Sequence, residues 1–282
     1  MNLCVSNSPK TENFKKSVKD TGAALGASII VPSIAQTGSA ILACESMGRL
    51  STSLSKDQID IVNKGVDKII NEATNLGTKG VKVVDARTLG SAGFKTLKET
   101  GTSTVSRIKK YLLNFTDPML SLKNGKNACF APPNKVIYNP EKMSLATFHE
   151  LGHAHNHHNS KVWKFIQTKC RKPALIIPFV MAALVSFTKN SKPEEGKELN
   201  FFQKTKNFIR NNAAGIAAVS TLPMVAEEIV ASVKGCKWAN KLLDKNLARK
   251  VFATNALGAV TYLAIGTCIA LGINWAKNIK DS

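Results

Sequence analysis

Aromatic residues and closely spaced cysteines are scarce in this sequence, and each absence disfavours a class of protein. Phenylalanine, tryptophan and tyrosine together make up 6% of the 282 residues, and no RNA- or DNA-binding motif accompanies them. The six cysteines lie far apart and form no CxxC pair, so neither a zinc ribbon nor a dense disulfide framework is indicated. We therefore expect reduced thiols in a cytoplasmic setting.

Acidic residues are also few. Nineteen aspartates and glutamates stand against 39 lysines and arginines, which gives a formal net charge of +20. Such a surface attracts polyanions, either nucleic acid or anionic lipid headgroups. Because the lysines are spread over the whole length without a nucleic-acid-binding signature, membrane lipid is the expected partner and nucleic acid is not.

Histidine is rare as well, and all five histidines fall between positions 149 and 158. The first of them opens the motif HELGH, in which His149 and His153 share one face of a helix and can close on one metal ion. Glu150 lies beside such a metal and can take the proton of a metal-activated water. This is the chemistry of a zinc peptidase. The alternatives are a polar helix end and an incidental His-rich metal-binding tract.

A catalytic zinc needs a third protein ligand. The pattern HExxHxxGxxH is excluded, because Asn156 replaces its glycine and Asn159 replaces its last histidine. His157 lies two helical turns, about 12 Å, beyond His149, which is too far for both to bind one ion. The third ligand must come from elsewhere in the chain, and a carboxylate on a later helix is the usual solution.

Long uncharged runs predict contact with a membrane. Residues 21–44 carry no charge over 24 positions, and Pro32 should kink this segment. Because Gly, Ala and Ser are abundant in it, a buried helix or a re-entrant hairpin stays an alternative to one span. The best transmembrane candidate is 251–276, which has basic flanks and ends near Trp275. Two 16-residue runs, 173–188 and 211–226, flank a polar loop at 189–210 and predict a hydrophobic helical hairpin.

Shorter patterns predict the elements around the HELGH motif. Two strands joined by a turn should precede it, and they either bind an extended substrate through backbone hydrogen bonds or form a plain structural hairpin. Asn139 offers a helix cap and Pro140 a first helical position, so we expect the HELGH helix to begin there. The other predicted segments are helices at 56–77 and 103–115, strands at 81–86, 128–130 and 135–138, a loop at 87–102 and a turn at 132–135.

The order of these motifs resembles that of the integral-membrane metallopeptidases of the HtpX type, which are related to the CAAX prenyl proteases. Members of that family carry HExxH, then a hydrophobic hairpin, then a helix with the pattern E-x-x-A-D. This chain has HELGH at 149–153, the hairpin at 173–226 and EIVAS at 228–232. The resemblance covers about residues 57–236, and HELGH is its most specific part.

The resemblance implies a role for each matching residue. Glu227 competes as a ligand but lacks an alanine three positions later, and Ser232 replaces an aspartate that would orient a ligand histidine. A serine can still form that hydrogen bond, without the negative charge. The implied site consists of the zinc ligands His149, His153 and Glu228 and the general base Glu150.

The expected fold class is α+β and mostly helical, with a zincin-like metallopeptidase core and hydrophobic, transmembrane helices. Three segments are expected. Residues 1–47 form a basic arm with a hydrophobic segment, 48–250 form the catalytic domain with the hairpin 173–226, and 251–282 form a transmembrane helix with a basic tail.

The expected function is that of a membrane-associated zinc-dependent endopeptidase, with Zn²⁺ as cofactor, a protein or peptide substrate and a catalytic site facing the cytoplasm. Tyr138 and Tyr262 are candidate donors to the oxyanion. Ser232 motivates an alternative, a catalytically inactive zincin-like metal-binding or scaffold protein at the membrane. A third interpretation is a basic protein for anionic lipid or nucleic acid in which HELGH is incidental.

Overall fold

The computed structural model describes residues 9–85, 128–131, 136–139 and 145–282. Within them the chain is mostly helical with little strand, as the sequence predicts. The predicted segments that lie outside the described residues are the loop at 87–102, the helix at 103–115 and the turn at 132–135.

Helices account for most of the described chain. Three short π-helical turns lie at Gly26–Ile30, Ile69–Ala73 and Ile166–Cys170. The α-helices are α1 Pro9–Leu25, α2 Val31–Thr52, α3 Lys56–Lys68, α4 Thr147–Asn159, α5 Lys161–Phe165, α6 Arg171–Phe187, α7 Phe201–Asn211, α8 Ala213–Leu242 and α9 Lys245–Asp281.

The chain divides into two compact units. The first unit comprises Met1–Gln36, Arg171–Leu222 and Ala264–Ser282, and the second comprises Thr37–Cys170 and Pro223–Leu263. The second unit therefore contains both HELGH and EIVAS. The three segments expected from the sequence stay a prediction.

The second unit contains a three-stranded sheet formed by β1 (Lys82–Asp85), β2 (Cys129–Ala131) and β3 (Val136–Asn139). The strand order is β1-β3-β2, with β1 parallel and β2 antiparallel to β3. The predicted pairing of the two strands before HELGH is confirmed, and Phe130 lies opposite Ile137. Among the strands that the structure describes, β2 lies at one edge of the sheet.

The core of the second unit is formed by α3, α4 and the segments that pack on them. A capping box of Ser55 and Gln58 starts α3, and its apolar face buries Val62 and Val66. The other fully buried side chains of this core include Ile69, Leu76, Leu145, Phe148, Leu151, Leu247 and Val251. This packing fixes the face that α4 turns towards the candidate site.

The predicted start of the HELGH helix at Asn139 and Pro140 is wrong. Asn139 is the last residue of β3, where it pairs with Asp85, and α4 begins at Thr147. Pairing of Asn139 within the sheet therefore outweighs the preference of asparagine for a helix cap, which is a weak local preference.

Four helices in the described part of the chain are long and apolar enough to cross a membrane. The two 16-residue runs that look short in the sequence belong to helical segments of 27 and 30 residues, because the flanking polar residues continue the helix. These lengths support the predicted membrane association. The four segments are Asn13–Thr52, Lys161–Phe187, Ala213–Leu242 and Lys245–Asp281.

The core of the first unit is built largely from small residues. Ala24, Ala182 and Ala217 are among its most deeply buried members, and short side chains let helices approach closely. Part of the predicted polar loop at 189–210 is also helical here, because Asn200 and Gln203 form a capping box at the start of α7.

Candidate metal centre

Helix α4 brings two imidazole rings together. His149 and His153 lie one turn apart, and their Nε2 atoms are 2.8 Å from each other. Phe148, Leu151 and Ala154 are fully buried in the core of the second unit, which fixes the rotation of the helix about its axis. The spacing predicted from HELGH is therefore present as a pair of converging rings.

Glu228 of α8 completes a group of three. Its Oε2 atom lies 3.1 Å from Nε2 of His149 and 3.2 Å from Nε2 of His153, and the residue is 1% exposed. Donors about 2.0–2.1 Å from a tetrahedral zinc lie roughly 3.3 Å from one another, close to these separations. Within the described ranges, this group could hold a metal ion.

A close crossing of α4 and α8 delivers the carboxylate. A Cβ atom built on Gly152 would lie 2.8 Å from Cα of Ala231 and closer still to its carbonyl oxygen, while one on Gly235 would lie 2.6 Å from the carbonyl oxygen of Phe148. Real Cβ atoms essentially never make contacts below 3.0 Å. Gly152 of HELGH and Gly235 of α8 therefore let the two backbones approach closely, which sets Glu228 beside the histidines.

The second nitrogen of each ring is also held. Nδ1 of His149 lies 3.0 Å from Oγ of Ser232, and Nδ1 of His153 lies 2.9 Å from Oε1 of Glu227. Partners of this kind set the orientation of a ligand imidazole and raise its basicity. The expectation that Ser232 can hydrogen-bond to a histidine is confirmed.

The sequence suggests Glu227 only as a competing metal ligand, whereas the structure places its carboxylate against Nδ1 of His153. The residue is completely buried, and Oε1 accepts hydrogen bonds from Asn156 at 3.0 Å and Gln167 at 2.6 Å. Lys234 donates in turn to Oδ1 of Asn156 at 2.6 Å. Ser232 therefore offers His149 no carboxylate, but Glu227 supplies one to the other histidine, His153. The sequence signal for a second site carboxylate is the adjacent pair of glutamates on this helix.

The carboxylates around His153 favour the protonated form of its ring when no metal is bound. Burial of the ring opposes the positive charge, but Glu228 and Glu227 favour it and raise the pKa of His153 to about 10. A metal ion must therefore displace a proton from this ring, and metal affinity rises with pH.

Glu150 lies beside the group and binds the sheet. Its Oε2 atom accepts a hydrogen bond of 2.7 Å from the backbone N–H of Phe130. Phe130 belongs to the edge strand β2, so the outer side of that strand faces the carboxylate. Glu150 directly follows His149, and its charge favours the positive form of His153, while its role as general base stays a prediction.

The other three histidines do not belong to the metal group. His155 contacts Lys234 and the ring of Trp238, and burial together with the charge of Lys234 lowers the pKa of His155. Burial also lowers the pKa of His157, which is hydrogen-bonded to Gln167. The rings of His157 and His158 pack edge-on against Phe130 and support the edge strand.

In comparisons with family models, with curated proteins and with solved structures, nothing matches this chain. The resemblance to the HtpX-type metallopeptidases therefore rests on the motifs and their spacing. Of the two candidate oxyanion donors, Tyr262 lies on α9, and the side chain of Tyr138 is outside what the structure describes. Both roles stay predictions.

We expect Glu227→Gln to weaken zinc binding by about 10–100-fold, because the variant loses the negative charge at Nδ1 of His153. Ser232→Ala is the matched comparison: it removes a neutral hydrogen bond from His149 and should cost about tenfold. Competition titration against a chromophoric zinc chelator measures both affinities. A Glu227→Gln protein that binds zinc as tightly as the parent would show that the buried carboxylate has no part in metal binding.

Proposed function

We propose that this protein is a membrane-associated zinc endopeptidase of the HtpX type, with a zincin-like core. The observation that carries the proposal is the convergence of His149, His153 and Glu228 next to Glu150. Two histidines on one helix, a carboxylate from a later helix and a glutamate beside them form the residue set of this class of peptidase.

The donor set suits zinc. Two imidazole nitrogens and one carboxylate oxygen are typical ligands of a catalytic zinc, and three protein ligands leave one coordination position open. When bound there, zinc would polarise the scissile carbonyl and lower the pKa of a water molecule. Ser232 and Glu227 would hold the two rings in the orientation that directs Nε2 towards the ion.

Glu150 is the proposed general base. Its carboxylate would accept the proton of the attacking water and pass it to the nitrogen of the departing amine. The hydrogen bond from Phe130 occupies Oε2 and holds the side chain against the sheet, so the second carboxylate oxygen is the one proposed to take the proton.

The edge strand is the proposed substrate platform. An extended peptide that adds to the outer side of β2 would run past Glu150, since the N–H of Phe130 points to that carboxylate. Main-chain pairing of this kind accepts many sequences, which suits an endopeptidase acting on unfolded or membrane-proximal protein segments. The excess of lysine favours a catalytic site on the cytoplasmic side.

Proteolysis by the purified full chain in detergent or vesicles tests the proposal. Fluorescently quenched casein should be cleaved, a zinc chelator should abolish cleavage, and added Zn²⁺ should restore it where Mg²⁺ does not, since nitrogen donors favour zinc. Protein that holds one equivalent of zinc and cleaves neither casein nor unfolded membrane proteins would contradict the endopeptidase and favour the metal-binding scaffold.

A further inference from the structure

Helix α7 buries a charged side chain and exposes large apolar ones. Arg210 is its one buried residue, whereas Phe201, Phe202 and Phe208 are exposed and Ile209 is half-buried against the core of the first unit. In water an amphipathic helix turns its apolar stripe towards the protein core. An apolar surface, either lipid or protein, should therefore cover the outward side of this helix.

The polar side of α7 is fastened to the first unit. Asn207 accepts a hydrogen bond of 2.8 Å from the N–H of Ser191 and donates one of 2.9 Å to the carbonyl of the same residue. Arg210 is fully buried, donates to the carbonyl of Thr188 at 3.0 Å and pairs with Asp281 at 2.9 Å. These contacts fix the rotation of the helix, so its opposite side must face outwards.

The outward side carries three phenylalanines. Phe201, Phe202 and Phe208 are 75%, 81% and 66% exposed. The rings of Phe201 and Phe202 lie 5.9 Å apart, and Phe208 follows Phe201 by seven residues, which places both on the same stripe of the helix. Three aromatic rings on so short a helix are costly to leave in water, because each buries a large apolar area when covered.

The position of α7 in the chain points to what covers this face. It connects α6 to α8, which both belong to segments long and apolar enough to cross a membrane. Apart from the buried Arg210, the segment 189–210 carries five lysines and three glutamates, which give a net charge of +2. Lys192 and Lys204 are exposed there, although Lys204 also pairs with Glu198. Exposed aromatic rings beside an excess of lysines match the boundary between acyl chains and anionic headgroups.

We propose that α7 is an interfacial helix that lies in the headgroup layer of an anionic bilayer. The rings of Phe201, Phe202 and Phe208 enter the acyl boundary, and the lysines of 189–210 face lipid phosphates. The helix anchors the turn between two spanning helices at a fixed depth. This surface uses no residue of the metal centre and does not depend on the proposed hydrolysis.

Quenching by lipids brominated on their acyl chains tests the proposal on the full chain in vesicles. The parent for this experiment carries Trp163→Phe, Trp238→Phe and Trp275→Phe, so that one added tryptophan reports alone. Phe202→Trp reports the outward face of α7. Glu195→Trp is the matched control, because Glu195 is exposed in the same connecting segment but outside the helix.

We expect brominated phosphatidylcholine containing phosphatidylglycerol to reduce the fluorescence of the Phe202→Trp variant by about twofold and to leave that of Glu195→Trp nearly unchanged. Lys192→Gln combined with Lys204→Gln should weaken the quenching of the Phe202→Trp variant in these vesicles. Equal, weak quenching of both tryptophans would overturn the proposal. Concentration-dependent cross-linking through a cysteine at Phe208→Cys, without lipid quenching, would overturn it in favour of a second copy of the chain.

Discussion

Glu150→Gln should abolish peptide-bond hydrolysis while leaving the metal in place. Glutamine cannot accept the proton of the attacking water, and loss of a general base reduces turnover by about 10²–10⁴-fold. The side-chain oxygen of glutamine can still accept the hydrogen bond from Phe130, so the sheet should keep its position against α4. Turnover of quenched casein and zinc content per chain measure the two effects.

Glu72→Gln is the matched control for this variant. Glu72 is exposed and forms a surface pair with Lys68, so its substitution should change neither turnover nor zinc content. If Glu150→Gln cleaves substrate at the parental rate, Glu150 is not the general base. If it loses its zinc as well, the residue serves the integrity of the site and the test must be repeated with Glu150→Asp.

Gly152→Ala should lower the free energy of unfolding by about 2–4 kcal/mol and empty the metal centre. The added methyl group would overlap the backbone of Ala231, and backbone cannot rotate away as a flexible side chain can. The two helices must then separate, and Glu228 moves with α8 away from the imidazoles. Thermal unfolding and zinc content of the detergent-solubilised protein measure the two losses.

Gly258→Ala provides the control for the glycine substitution. A Cβ atom at Gly258 would meet nothing within 4 Å, and alanine favours helix over glycine by about 1 kcal/mol, so this variant should be as stable as the parent or more so. Parental stability and full zinc occupancy in Gly152→Ala would show that the crossing tolerates a methyl group and that Glu228 is held by other contacts.

The histidine pair could be predicted because its signal is local. HELGH places His149 and His153 one turn apart on any helix, and the structure brings their Nε2 atoms together as expected. Glu228 lies 75 residues beyond His153, and helical periodicity alone says nothing about which distant carboxylate arrives. It was found through the resemblance to a known family, and its position beside the rings agrees with that choice.

The features that the sequence does not predict depend on tertiary contacts. Asn139 is a good helix cap in isolation, yet pairing with β1 holds it in a strand. Glu227 and Glu228 look alike in the sequence, and only the rotation of α8 decides which one reaches the Nε2 atoms. The polar composition of residues 189–210 predicts a loop, whereas the structure shows that Asn200 and Gln203 form a capping box that starts α7.

The long interval between His153 and Glu228 has a consequence during synthesis. A ribosome that has just finished α4 has produced both imidazoles, but the carboxylate of Glu228 is added only after another 69 residues, on a helix that also carries an apolar run. A nascent chain therefore lacks one of its three donors until that helix has been made. Under the proposed activity, the nascent enzyme is inactive until Glu228 has been synthesised, so it cannot cleave itself or neighbouring proteins before that point.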